Sequence, residues 1–299
     1  MVLARPDIRP AFADRNIAVA FSTDETYLPY VAVVINSIVE NAKSGHIDIL
    51  ILYDGIHYAK RSGFLHVFEK VKNVSVRFVD VGDAVASTCL SGFVQKRYLS
   101  VAACYRLFLP DMLVEYDKII YLDVDTVVCR DLGALSETEL GDCFLGAARD
   151  VLNNSKNQEY ATWARGYGFE DWCDYVNTGV IIINLQKFRK ASLFESLLPI
   201  AMEASKWFCD QDALNFVCKG RIKHLDPRWN VQVGDYCINQ QLEITKDEVY
   251  ICHFTGIKKP WNTQSHRYVN VWRRFSEGGL LGTGAVRDQL GLMSTGDRK

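Results

Sequence analysis

Along residues 16–80, short runs of nearly continuous apolar residues alternate with longer stretches in which apolar positions recur every three or four residues. Residues 17–21, 47–53 and 74–79 read as strands buried on both faces, and residues 27–41 and 58–71 between them read as helices. A β-α-β-α-β order implies right-handed crossovers and a parallel, doubly wound sheet. The pattern continues with a helix over 101–109, stopped by Pro110, and a strand over 118–122. The second half is less regular, with strands expected at 144–148, 179–185 and 249–254 and helices at 193–206 and 211–219. Residues 151–175, polar with interspersed aromatics, fit a substrate loop or an ordinary surface connection equally well. Beyond Gly278 the chain is rich in Gly, Ser and Thr, which predicts a mobile tail over 278–299.

Composition narrows this picture without changing it. The 299 residues are 48 % apolar and 23 % charged, close to the globular average, so disorder and fibrous classes are disfavoured. Length would permit two domains, but the absence of a low-complexity linker favours an extension over 1–15 and a single α/β domain over 16–277. A net charge of −2 supplies no global attraction for nucleic acid, so any anion site must be local. Nine cysteines cannot all pair within one molecule, and no two stand in a C-x-x-C spacing; they read as reduced, buried small hydrophobes in a cytoplasmic protein. The chain's start lacks the apolar core of a secretory signal, and no apolar run is long enough to span a membrane. Trp272-Arg273-Arg274-Phe275 reads first as a solvated helix face, with peripheral membrane contact as the alternative.

In open α/β sheets, ligands bind beyond the carboxyl ends of the strands, and here those ends are acidic: Asp24, Asp54, Asp80, and Asp123 with Asp125. The chain has two Asp-x-Asp triplets, about as many as chance gives for 23 aspartates, so context must carry the information. Asp123-Val124-Asp125 ends a buried strand, where ionised carboxylates need a cation or hydrogen bonds, and such a pair suits Mg²⁺ or Mn²⁺ bridging phosphates. Asp210-Gln211-Asp212 opens a helix and fits capping as well as chemistry. His253, followed by Gly256, Lys258 and Lys259, offers a metal ligand, a close backbone approach and a phosphate contact, although a lone histidine is often structural. Phosphate-loop, nucleophile-elbow and H-E-x-x-H motifs are absent. Asp123-Val124-Asp125-Thr126 also matches the first motif of haloacid-dehalogenase-type phosphatases, but the later acidic pair of that family is missing. A non-catalytic sugar-nucleotide binder is a further alternative, since fold does not guarantee turnover.

Taken together and in order, Phe21-Ser22-Thr23-Asp24-Glu25-Thr26-Tyr27, Tyr105-Arg106-Leu107, Tyr121-Leu122-Asp123-Val124-Asp125, Asn177-Thr178-Gly179-Val180, Asp210-Gln211-Asp212-Ala213-Leu214-Asn215 and His253-Phe254-Thr255-Gly256 through Lys259-Pro260-Trp261 resemble glycosyltransferase family 8 over residues 16–262. That family includes bacterial lipopolysaccharide galactosyl- and glucosyltransferases and, more distantly, glycogenin. The resemblance implies a GT-A fold, with a Rossmann-like, mainly parallel nucleotide-binding sheet flanked by helices and a smaller acceptor-binding part. It implies retaining transfer of a hexose from a UDP-sugar to a saccharide acceptor, with Asp123, Asp125 and His253 as ligands of Mn²⁺ (or Mg²⁺). Asp24 would contact the uracil, and Gly256 and Lys259 the diphosphate. Thr23, Tyr27 and Val124 would complete the cofactor-binding set. Arg106, Asp150, Asn177, Asp210, Gln211 and Asp212 would cradle the donor sugar, and Gln211, Asp150 and Asp210 are the candidate catalytic residues. Thr26 stands where bacterial relatives often carry Asn, and residues 82–100, ending in Gln95-Lys96-Arg97-Tyr98, are a candidate lid that would keep water from the activated donor.

Overall fold

The structure is a computed structural model and describes residues 8–43, 45–88, 100–151, 158–170, 172–204, 207–234, 246–263 and 268–292. Its first part follows the alternation of the sequence: β1 (Asn16–Thr23), α1 (Leu28–Asn41), β2 (His46–Tyr53), α2 (Tyr58–Phe68) and β3 (Val74–Asp80). A short α3 (Gly82–Ala86) comes next, then a 3-10 helix over Val101–Phe108, α4 (Leu109–Met112) and β4 (Lys118–Leu122). Pro110 does not stop this segment. It occupies the first turn of α4, where a missing N–H costs no hydrogen bond, and the helical path simply tightens to 3-10 before it.

The remaining elements are β5 (Thr126–Val128), α5 (Gly133–Ser136), β6 (Leu145–Arg149), α6 (Gln158–Gly166), β7 (Val176–Asn184), α7 (Leu185–Lys190), α8 (Phe194–Glu203), α9 (Asp210–Val217), β8 (Ile222–His224), β9 (Val231–Gln232), β10 (Ile251–His253), α10 (Val269–Glu277) and α11 (Gly284–Leu290). The main sheet runs β3-β2-β1-β4-β7-β6-β8 and is parallel except for β7, which is antiparallel to both β4 and β6. The strand expected at 249–254 shrinks to β10 and leaves the main sheet for a three-stranded one, β5-β10-β9.

Both faces of the main sheet are covered, which is why its strands read as unbroken apolar runs. Along β1, Ile17, Val19 and Phe21 pack with α1, while Ala18 and Ala20 lie beneath Tyr105 and Phe108 on the opposite face. Edge strand β3 is only partly buried and carries Arg77, whose guanidinium donates to Asp48 at 2.6 Å. Residues 151–175 are not a plain loop. Tyr160 and Ala164 of α6 pack with Phe169, Tyr175 and Phe216 in an aromatic cluster of their own. The buried thiols of Cys104, Cys209, Cys218 and Cys252 are free, while Cys89, Cys237 and the side chain of Cys173 lie outside the described residues.

Two expectations for the C-terminal part are overturned. Trp272 and Phe275 are buried in the core against α1, so the 272–275 stretch presents no aromatic ring to a membrane. No described helix is long and apolar enough to cross one. The expected tail is folded through residue 292, with Leu281 and Leu292 buried. Asn36 holds it: its amide donates to the carbonyls of Phe275 (2.7 Å) and Gly278 (3.0 Å) and accepts the N–H of Leu280 (3.1 Å). Asn36→Ala strips these partners and is expected to cost roughly 2–3 kcal/mol, with earlier proteolytic cleavage within 278–292. Denaturant unfolding and limited proteolysis check this, and a wild-type midpoint would contradict it.

Candidate active site

The sheet reverses its winding between β1 and β4: from β1 the chain proceeds to β2 and β3 on one side, and from β4 to β6 and then β7 on the other, with β7 between β4 and β6. A crevice forms beyond the carboxyl ends of strands at such a point. Here it is a cavity of about 560 Å³, lined by Thr23, Asp24 and Tyr27 after β1 and by Asp123, Val124 and Asp125 after β4. Arg106, Asp150, Asn177, Asp210, Gln211, His253, Gly256 and Lys259 line the same cavity. One pocket thus gathers every residue that the family resemblance assigned to a site except Asp212.

The acidic centre is built by a break in the pleat. Residues 123–125 form a turn between β4 and β5, fixed by the Asp123 N–H donating to the Gly179 carbonyl (2.7 Å) and the Thr126 hydroxyl donating to the Asp123 carbonyl (2.8 Å). Strand β5 then pairs antiparallel with β10, setting His253 opposite Thr126, and the Phe254 N–H donates to the Asp125 carbonyl (2.9 Å). Residues more than 120 positions apart in sequence therefore meet. His253 Nε2 lies 3.3 Å from Asp125 Oδ1 and 3.7 Å from Asp123 Oδ2, and one ligand atom from each of the three residues lies within 4.8 Å of the others.

Two carboxylates and an imidazole are a donor set for Mn²⁺ or Mg²⁺, and two observations support the fit. A Cβ on Gly179 would stand 2.2 Å from His253 Cε1 and 2.5 Å from Asp123 Oδ2, so only glycine lets β7 pass this close. The second lies behind the ring, where His253 Nδ1 is 3.0 Å from buried Asn230 Oδ1, leaving Nε2 toward the carboxylates. Burial alone would raise the Asp125 pKa, but the Lys259 ammonium in contact with it holds its carboxyl well below the usual range. Lys259 also donates to the Phe254 carbonyl at 2.8 Å.

On the opposite wall Arg106 is buried and bridges two acids. It pairs with Asp123 Oδ1 at 2.7 Å and Asp210 Oδ2 at 2.9 Å, and donates to the Thr178 carbonyl at 2.6 Å above the ring of Tyr121. Burial works against its charge, but Asp123 and Asp210 outweigh burial and keep it protonated. Burial pushes Asp210 up to about 6 despite Arg106. Gln211 is held at both ends of its amide: Oε1 accepts the Thr178 N–H (3.1 Å) and Nε2 donates to Asp150 Oδ2 (2.8 Å), which also accepts from Asn177 (3.3 Å).

Asp212 departs from the expected sugar cradle. Two residues on from Asp210 in α9 it points the other way, into the aromatic cluster, where it accepts from the Tyr160 and Tyr175 hydroxyls and the Phe208 N–H. Its role there is structural, joining α9 to the 158–175 segment. The capping alternative also fails for Asp210, since no side-chain cap bond forms at the start of α9.

At the β1 end of the cavity, Asp24 Oδ1 accepts the N–H groups of Thr26 (2.9 Å) and Tyr27 (3.1 Å), and Oδ2 accepts the Ser100 hydroxyl (3.0 Å). Asp54 and Asp80 are not in the cavity wall; they crowd Gly82, whose N–H donates to Asp80. Of the candidate lid, residues 89–99 lie outside the described residues. Ser100, the last residue of the candidate lid, lines the cavity, and so does Phe208, which with Asn230 carries no signal in the sequence. Asn230 stands in a Trp-Asn pair with no spacing that ties it to His253, so only tertiary structure reveals it.

The family profile described as "Glycosyl transferase family 8" matches residues 18–265. The chain belongs to glycosyltransferase family 8. It is 26 % identical over 258 residues to lipopolysaccharide 1,2-glucosyltransferase of Escherichia coli, covering 82 % of this chain and 72 % of the relative. To glycosyltransferase GlyF of Streptococcus pneumoniae it is 30 % identical over 209 residues, covering 68 % of this chain but only 48 % of that protein. The crystal structure of galactosyltransferase LgtC in complex with donor and acceptor sugar analogues superposes with a TM-score of 0.70 and 27 % identity, covering 91 % of this chain and 100 % of that one. The family 8 chain accordingly has the GT-A fold, and the phosphatase reading of Asp123-Val124-Asp125-Thr126 falls.

Burial pushes Asp212 up to about 6 from 3.8, although two phenols and an N–H oppose the shift. A carboxyl whose pKa is raised in the folded state contributes its stability at low pH and loses it as pH rises through about 4 to 6. Relative to Asp212→Asn, wild-type stability should therefore decline across this window by on the order of 3 kcal/mol. Urea unfolding of both proteins between pH 4 and 7 checks this; parallel curves would contradict the assignment.

Proposed function

We propose that this chain transfers a galactosyl or glucosyl group from a UDP-sugar to a saccharide acceptor with retention of configuration, in lipopolysaccharide or surface-glycan synthesis, with Mn²⁺ (or Mg²⁺) held by Asp123, Asp125 and His253. One observation carries the reading: the three-ligand cluster opens into the same cavity as Asp24 at one end and the Asp150–Gln211 pair at the other. Residues 16–277 serve as the catalytic unit.

Asp123, Asp125 and His253 would hold the metal, which when bound would supply charge neutralisation for the diphosphate. Around it, Asp24, Thr23 and Tyr27 take the nucleoside, and Gly256, in a left-handed turn at φ 84°, lets its backbone approach the phosphates. Lys259, now against Asp125, turns its ammonium to the leaving phosphate, where negative charge grows in the transition state. Arg106 holds Asp123 and Asp210 at fixed spacing. Gln211, tied to Thr178 and Asp150, is a poor nucleophile and instead orients sugar hydroxyls, with Asn177 beside it. Asp210 is committed to Arg106, and Asp150 Oδ2 accepts from two amides. These engagements favour acceptor attack on the leaving-group face over a covalent glycosyl-enzyme.

Incubation with a panel of UDP-sugars and Mn²⁺ should release UDP with one hexose donor, EDTA should abolish release, and Asp125→Asn should slow it on the order of 10³-fold or more. Product NMR with that donor should report the anomeric configuration of the donor. No metal-dependent turnover with any donor would contradict transfer, and full activity of Asp125→Asn would contradict the metal assignment.

A further inference from the structure

We infer that Asn230 is a positioning residue for the metal, because it fixes the tautomer of His253 through a chain of hydrogen bonds whose direction is set by the backbone of Gly179. The chain starts from a group that can only donate. The Gly179 N–H points at Asn177 Oδ1 (3.1 Å), so that atom must be the carbonyl oxygen of the Asn177 amide. The other end of the same amide, Nδ2, accordingly faces Asp150 Oδ2 (3.3 Å). Asn230 approaches Asn177 Oδ1 at 2.9 Å, and against an acceptor it must present its NH₂. Its own carbonyl oxygen then faces His253 Nδ1 at 3.0 Å, which obliges Nδ1 to carry the ring proton. The lone pair is left on Nε2, the nitrogen directed at Asp123 and Asp125.

Burial makes this direction binding. Asn230 is fully buried, and His253 and Asn177 are nearly so, so water cannot replace a lost partner or reverse one link of the chain. Asn177 thereby has two tasks: one end of its amide reaches the acid on the sugar side, and the other orders the residue behind the metal. Neutral imidazole in water prefers the proton on Nε2, so without Asn230 the ring would present N–H to the carboxylates and would have to exchange it before binding a cation.

The inference rests on reading Asp123, Asp125 and His253 as the metal site, and the test separates the two. Nitrogen-15 NMR of histidine-labelled, metal-free protein reads the tautomer directly: the wild type should show a protonated Nδ1 and a bare Nε2 on His253, and Asn230→Leu should shift the proton to Nε2. Asn230→Asp, which keeps an acceptor for Nδ1–H, should retain the wild-type tautomer. Mn²⁺ titration in the presence of UDP, followed by electron paramagnetic resonance of the free ion, should show affinity weakened 10- to 100-fold in Asn230→Leu and largely restored in Asn230→Asp. Circular dichroism confirms folding of each variant, and Asn230→Ala serves in place of Asn230→Leu if that one fails to fold. A wild-type His253 protonated on Nε2 overturns the inference, as does equal Mn²⁺ affinity in wild type and Asn230→Leu. Absence of Mn²⁺ binding by the wild type would instead overturn the metal reading, with the tautomer measurement still deciding the direction of the chain.

Discussion

Two carboxylates at the end of a buried strand are the constraint around which this protein is arranged. Charge in a low-dielectric interior is costly unless it is paired, and the surroundings of Asp123 and Asp125 can be understood as answers to that cost. Arg106 takes Asp123 from one side, and Lys259 takes Asp125 from the other. The side chains that compensate come from distant parts of the chain, so the charge balance is also a set of long-range ties: the 3-10 helix to the end of β4, and the segment after β10 to the 123–125 turn. A divalent cation would relieve the remaining negative charge while freeing Lys259 for a phosphate, which makes the balance responsive to donor binding.

The same electrostatic logic explains why the cavity walls differ. The wall near Asp24 is made of backbone donors captured by a carboxylate just before α1. On the other side Asp150, Asn177, Gln211 and Thr178 form a linked set of amide and carboxylate bonds. Under the proposed function, groups that would meet a sugar ring are thereby oriented before it arrives. Asp212 anchors this wall from behind through Tyr160 and Tyr175.

Much of this was legible in the sequence, for physical reasons. The β1–β3 half obeys strict alternation because both sheet faces are buried, and the strand-end acids mark the crevice because ligands bind there in open α/β sheets. What escaped was decided by tertiary contact. Helix α6 and its aromatic cluster look polar in the sequence because their rings find partners far along the chain, such as Phe216. The Gly- and Ser-rich C-terminal stretch looked loose, yet Asn36 pins it from α1. Asp212 shares a triplet with Asp210 but, on a helix, points away from it. Asn230 has no motif at all, since its meaning lies in one ring nitrogen of a residue 23 positions later.

The central claim is that Asp123, Asp125 and His253 hold a divalent metal that belongs to the nucleotide-sugar site. Crystals grown with Mn²⁺ and UDP, measured at the manganese absorption edge, test it most directly. The account predicts a single strong anomalous peak bounded by the three side chains and touching the diphosphate, with Lys259 moved from Asp125 to a phosphate oxygen. A peak elsewhere, or UDP bound in the cavity with no anomalous density among the three residues, would contradict it.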